Sequence, residues 1–143
     1  NQVLGALTGA TADGRKSAEP INQNLSPSIG MDKNGVTALI KSVTSIDTTL
    51  APNGAVLDLM LHPSTVHGEK GLDAFVALIK TFLDNGGQAI QVNVLDSKTL
   101  KEAQLNPEKY STLQVRVCGW NSYFTNLSKQ EQDVFIKTAE SLC

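Results

Sequence analysis

Apolar positions in this chain fall into short runs whose spacing alternates between two periods, 3.6 and 2. Leu39, Ile40 and Val43 lie on one side of a helix over roughly 36–46. After an Asn53-Gly54 turn, the apolar run 55–61, broken by Asp58, has the length and flanks of a strand, closed by His62-Pro63-Ser64. Leu72, Phe75, Val76, Ile79 and Phe82 recur at helical spacing over 71–83, stopped by Asn85-Gly86-Gly87. Alternation and β-branched residues make 89–94 a strand. Ser97 can cap a helix through about Gln104, ended by Asn106-Pro107, and 113–117 alternates as another strand. Ser128-Lys129-Gln130-Glu131 is a capping box opening a helix through Ser141.

The order helix, strand, helix, strand, helix, strand, helix predicts an α/β fold with crossover helices between parallel strands. Three strands are too few to close a barrel but can form part of one. The first third differs. From Asn1 to Asn34 there is little periodicity and much Gly, Ser, Asn and Pro. So long a structureless stretch is unusual within a compact domain. Its low charge favours a segment packed against protein beyond this chain over a disordered tail. The chain therefore reads as a piece of something larger.

Composition narrows the function classes. With 12 basic and 14 acidic residues among 143, the formal charge of -2 points to neither a nucleic-acid nor an anionic-membrane partner. No apolar run has the length of a membrane span, and the N-terminus lacks a signal-peptide pattern. Cys118 and Cys143 are poorly placed for a structural disulfide, and two cysteines fit a reducing cytoplasm.

Candidate chemistry is sparse outside one loop. His62 and His67 lack the spacing and the extra ligands of a metal site, and a hydrogen-bonded turn is the better reading. Asp13-Gly14-Arg15-Lys16 could grip a phosphate or carboxylate, but a solvated turn or an inter-segment salt bridge is favoured. Gly86-Gly87 precedes a strand and so cannot cradle a phosphate at a helix start. Neither a Ser-His-Asp set nor a carboxylate pair can be assembled.

The loop that stands apart is Arg116-Val117-Cys118-Gly119-Trp120, at the end of an alternating strand. With Phe124, Leu127, Ser128, Lys129, Gln132 and Asp133 following in order, it resembles the radical-bearing loop of the glycyl radical enzymes. Trp120 stands where the family usually has Tyr. The resemblance extends through Asp13-Gly14-Arg15, Glu19-Pro20, the segment from Ser26 to Asp32 with Gly35, and Leu61-His62-Pro63-Ser64. It continues through Gly86-Gly87-Gln88, Gln91-Val92-Asn93-Val94 and Asn106-Pro107-Glu108-Lys109-Tyr110, covering about 9–140.

The resemblance implies that residues 1–143 are the C-terminal glycine radical domain of a larger enzyme. Residues 1–34 would be its lead-in and 112–124 its radical loop. Gly119 would be the catalytic residue, storing a glycyl radical in a partial β/α barrel with its loop projecting toward the barrel axis. Glycine suits this because a carbon radical flattens Cα between the amide nitrogen and the carbonyl, and a Cβ would crowd that plane.

The family implies no bound cofactor or metal. The radical is installed by a separate S-adenosylmethionine activase with an iron–sulfur cluster, and oxygen cleaves the chain at the glycine, confining the chemistry to anaerobic cytoplasm. A thiyl radical on a cysteine elsewhere does the work on a small-molecule substrate. Cys118 reads as a small buried hydrophobe, with a radical quencher or relay as the alternative, and Cys143 as an inconsequential terminus.

The chain would thus serve a lyase or dehydratase, inactive alone, in what is commonly a homodimer. The Ser-Pro segment and Leu-His-Pro-Ser favour a diol or hydroxyproline-type dehydratase. Three readings compete: a stand-alone spare part restoring an oxygen-cleaved enzyme, a pyruvate formate-lyase-type segment, and a degenerate scaffold.

Overall fold

The structure is a computed structural model that describes residues 2–28, 30–117 and 119–141; Asn1, Cys118 and Cys143, named above, lie outside them, as does Ile29 within the Ser26-to-Asp32 segment. Its helices are α1 (Gln2–Ala6), α2 (Gly35–Val43), α3 (Gly68–Asp84), α4 (Ser97–Leu105) and α5 (Lys129–Glu140). Its strands are β1 (Val56–Leu61), β2 (Ala89–Val94), β3 (Gln114–Val117) and β4 (Trp120–Tyr123). Single 3-10 turns occupy Thr48–Leu50, Pro63–Val66, Pro107–Tyr110 and Phe124–Asn126.

The strand and helix runs expected from periodicity form within a few residues of their predicted bounds. β1 and β2 pair in parallel, from Val56 beside Ala89 to Leu61 beside Val94, with α3 as the crossover. α3 stops where foreseen. A Cβ on Gly87 would run into the Phe82 ring, so the close return of the chain beneath the helix depends on glycine there.

Two expectations change. The third strand does not join the parallel pair; β3 pairs antiparallel with β4 in a hairpin, Gln114 opposite Tyr123 and Val117 opposite Trp120. β4 has no alternating apolar pattern of its own, and pairing with β3 defines it. The cap of α4 is Asp96 rather than Ser97, its carboxylate accepting from the Thr99 amide at 2.8 Å. The short α1 also lay outside what periodicity predicts. The Ser128–Glu131 capping box forms as read, with both reciprocal bonds present.

Burial is organised around β1. Leu57 joins Ile40, Val43 and Phe82 in one cluster, while Met60 joins Leu100, Ala103, Val115, Phe124, Phe135, Ile136 and Ala139 in another. Phe124 and Phe135 meet edge-to-face, with ring centroids 6.4 Å apart. The second cluster fixes the hairpin, because Val115 enters it from β3 and Phe124 from the residue after β4.

The lead-in is tied to this chain as well as being loop-rich. Leu25 N–H donates to the Val56 carbonyl at 2.9 Å, and Ser26 Oγ bonds both the carbonyl and the amide of Asp58. These bonds cover the edge of β1 opposite β2. Arg15 donates to the carbonyls of Gly9, Lys16 and Glu19, so its guanidinium organises a turn instead of gripping an anion.

Candidate functional site

Side chains in a strand alternate between faces, so Gln91 and Asn93 of β2 share one face. The parallel register sets Asp58 beside Gln91 and Met60 beside Asn93. Asp58, Met60, Asn93 and Val117 line an open cleft of about 1600 Å³, with Ser26 and Asn22 of the lead-in across it. The β3–β4 hairpin stands at its border.

The hairpin is held there by carboxamides, not by a strand ladder. Asn93 Oδ1 accepts from the Arg116 amide at 2.7 Å, and Asn93 Nδ2 donates to the Arg116 carbonyl at 3.1 Å. One side chain thus occupies both main-chain groups of Arg116, as a neighbouring strand would. Gln91 Oε1 accepts from Arg116 Nε at 3.0 Å and from the Gly119 amide at 3.0 Å. Both neighbours are donors, which settles the orientation of the Gln91 amide with its oxygen toward the loop. Arg116 Nη1 also donates to Asn121 Oδ1 at 3.2 Å, bracing β3 against β4.

Gly119 sits at the hairpin tip, between the paired residues Val117 and Trp120, and is exposed. Its φ is +100°, in the region that side-chain-bearing residues rarely enter. A Cβ built there meets nothing within 4 Å. Glycine is therefore demanded by backbone conformation and not by crowding. Beside it, Trp120 is 68% exposed.

Asp58 places a carboxyl on this face, beside Gln91. Burial pushes its carboxyl above the ordinary range, opposed by a 2.6 Å hydrogen bond from Asn24 Nδ2 and by the nearby Arg116 guanidinium.

The remaining loop-motif residues have mechanical jobs. Phe124 is fully buried, and Gln132 donates from Nε2 to the carbonyls of Phe124 at 3.0 Å and Leu127 at 3.2 Å. Asp133 accepts from Gln104 Nε2 at 2.9 Å, joining α5 to α4. The histidines stand apart from the loop. His62 Nδ1 accepts from the Ser64 amide and lies 2.7 Å from Ser64 Oγ, while His67 precedes α3. Among the described residues, no three His, Cys, Asp or Glu side chains gather as a metal site, and no helix is long and apolar enough to cross a membrane.

Gln91 and Asn93 are the functional contacts that motif reading left without a role. Their signal lay in β2 itself, where the polar residues at alternate positions of an otherwise apolar strand mark one face.

Comparison with known proteins places this geometry. Residues 21–125 match the glycine radical family. The chain is 42% identical to trans-4-hydroxy-L-proline dehydratase of Clostridioides difficile, over 96% of this chain and 17% of that protein. It is 41% identical to the 4-hydroxyphenylacetate decarboxylase glycyl radical subunit of Clostridium scatologenes, over 95% of this chain and 15% of the relative. Among solved structures, one describing 1,2-propanediol dehydration in Roseburia inulinivorans superimposes with a TM-score of 0.90 at 46% identity. That match covers 96% of this chain and 17% of the other. The chain thus spans less than a fifth of the length of these relatives.

Proposed function

Because this chain belongs to the glycyl radical enzyme family, as its C-terminal glycine radical domain, we propose that Gly119 carries the stored carbon radical. The carrying observation is the hairpin tip. Its only glycine is the residue at position 119, held at φ +100° with open space where a Cβ would stand. A planar Cα can form there without pushing neighbours aside.

The chemistry is hydrogen-atom transfer in two directions. On activation, a Cα–H bond of Gly119 breaks homolytically, and the hydrogen atom passes to an organic radical generated by an S-adenosylmethionine activase with an iron–sulfur cluster. In turnover, the Gly119 radical takes a hydrogen atom from a cysteine thiol, re-forming Cα–H and leaving a thiyl radical. That cysteine belongs to a portion of the enzyme outside this chain, as do most groups touching the substrate. This domain alone is therefore not active.

Relatives among the dehydratases and decarboxylases support lyase chemistry on a small molecule. We favour dehydration of a diol or hydroxyproline-type substrate, in a homodimeric enzyme of anaerobic cytoplasm. An oxygen-sensitive backbone radical calls for that compartment.

The test uses the radical's reaction with oxygen. After anaerobic activation, admitting air should cut the chain at Gly119, giving a large N-terminal and a small C-terminal fragment resolved by mass spectrometry. The Gly119→Ala protein should stay whole. Equal fragmentation of both proteins, or cleavage elsewhere, would remove Gly119 from the role.

A further inference from the structure

The Gln91 side chain touches one of the two main-chain groups over which a radical at Gly119 would be shared, its amide nitrogen. The contact is specific in two ways. Gln91 Oε1 receives two donors at the same distance of 3.0 Å, the Gly119 amide and Arg116 Nε. The second donor belongs to a residue already fixed at both its amide and carbonyl by Asn93. Gln91 therefore ties the tip of the hairpin to a part that cannot slide.

We propose that Gln91 is a positioning residue for the radical, fixing the Gly119 amide and favouring electron donation from its nitrogen. This rests on the reading of Gly119 as the radical site. An unpaired electron on Cα is shared with the amide nitrogen, which gives up electron density as the carbonyl withdraws it. A carbonyl oxygen accepting the N–H polarises that bond toward nitrogen and supports the donating half of the sharing. The acceptor is a neutral amide, so it cannot pull the proton away as a strong base could.

The division of labour between the two carboxamides follows from where they bind. Asn93 holds β3 at Arg116, before the tip; Gln91 holds the tip itself. Losing Asn93 would loosen the whole hairpin from β2. Losing Gln91 would free only the turn, with Val117 and Trp120 still paired.

Hydrogen–deuterium exchange mass spectrometry on the full-length protein before activation gives a readout independent of any radical. In Gln91→Leu, the Gly119 amide within peptides spanning 116–123 should exchange roughly tenfold faster, the size expected for loss of one such hydrogen bond. Amides of α4 and α5 should be unchanged. Gln91→Glu keeps an acceptor facing Arg116 and should restore protection. After activation, the anaerobic lifetime of the Gly119 radical should shorten in Gln91→Leu and recover in Gln91→Glu.

Unchanged exchange at Gly119 in Gln91→Leu overturns the proposal whatever the radical does. Faster exchange with an unaltered radical lifetime overturns it equally. A wild-type protein with no radical at Gly119 would overturn the assignment of the radical site, while exchange still decides whether Gln91 holds the turn.

Discussion

At the residue scale, Gly119 separates two reasons for a glycine that sequence cannot tell apart. A glycine may be needed because a Cβ would collide with something, as at Gly87 against Phe82, or because the backbone turns through positive φ. Gly119 is purely the second kind, with φ +100° and no neighbour within 4 Å of a Cβ. Gly119→Ala should therefore fold, with a loss of stability of about 1–2 kcal/mol from the strained backbone. Urea denaturation checks this, and a loss above about 4 kcal/mol would mean that packing at the tip had been misjudged. The point bears on function, since a variant that folds makes any lost radical a matter of chemistry. The sequence motif pointed to Gly119 directly, yet gave no hint that Gln91, 28 residues earlier, bonds its amide. That contact depends on how a hairpin is laid against a strand, which local pattern does not encode.

At the scale of elements, the strands show where periodicity succeeds and where it stops. β1, β2 and the long helix α3 are bounded by turn residues and carry sustained apolar patterns, so their existence was legible. Their parallel pairing followed from the crossover helix. β3 has the same alternation but takes an antiparallel partner, because the next residues, Trp120 to Tyr123, which lack an alternating apolar pattern, fold back on it. Asn93 then replaces a strand ladder between β2 and β3, a substitution that no propensity scale expresses.

The interruption of β1 by Asp58 was visible too, and its consequence can be tested. Burial raises the carboxyl above its unfolded value, despite Asn24 and Arg116. Protonated Asp58 suits the folded state, so its contribution is present at low pH and is lost as pH rises through the raised value. Asp58→Asn is neutral throughout. Its melting temperature should gain on wild type as pH rises from about 3 to about 7, then level off. A gain that shrinks over that range would show that attraction to Arg116 outweighs burial.

At the scale of the molecule, one strand organises two cores, and the Gly119 hairpin is fastened to only one of them. Val115, Phe124, Phe135 and Ile136 pack together with α4 and α5, and Gln132 ties the exit of the hairpin to α5. Residues downstream of the glycine, which sequence alone records only as a string matching a family, are the hairpin's mounting. The lead-in covers the free edge of β1, and the cleft between it and the Asp58–Asn93 face opens beside the hairpin. A tip that is exposed in this domain, with Trp120 beside it, suits the proposed radical site, which would have to meet both an activating protein and the rest of its own enzyme.

The central claim is that the unpaired electron resides on Gly119. Anaerobic electron paramagnetic resonance after activation tests it most directly, using protein labelled with glycine carrying carbon-13 at Cα. The account predicts an organic-radical doublet, split by the remaining Cα hydrogen, that broadens with the carbon-13 label and is missing from Gly119→Ala. A doublet unaffected by labelled glycine, or one that persists in Gly119→Ala, would place the radical elsewhere and contradict the account.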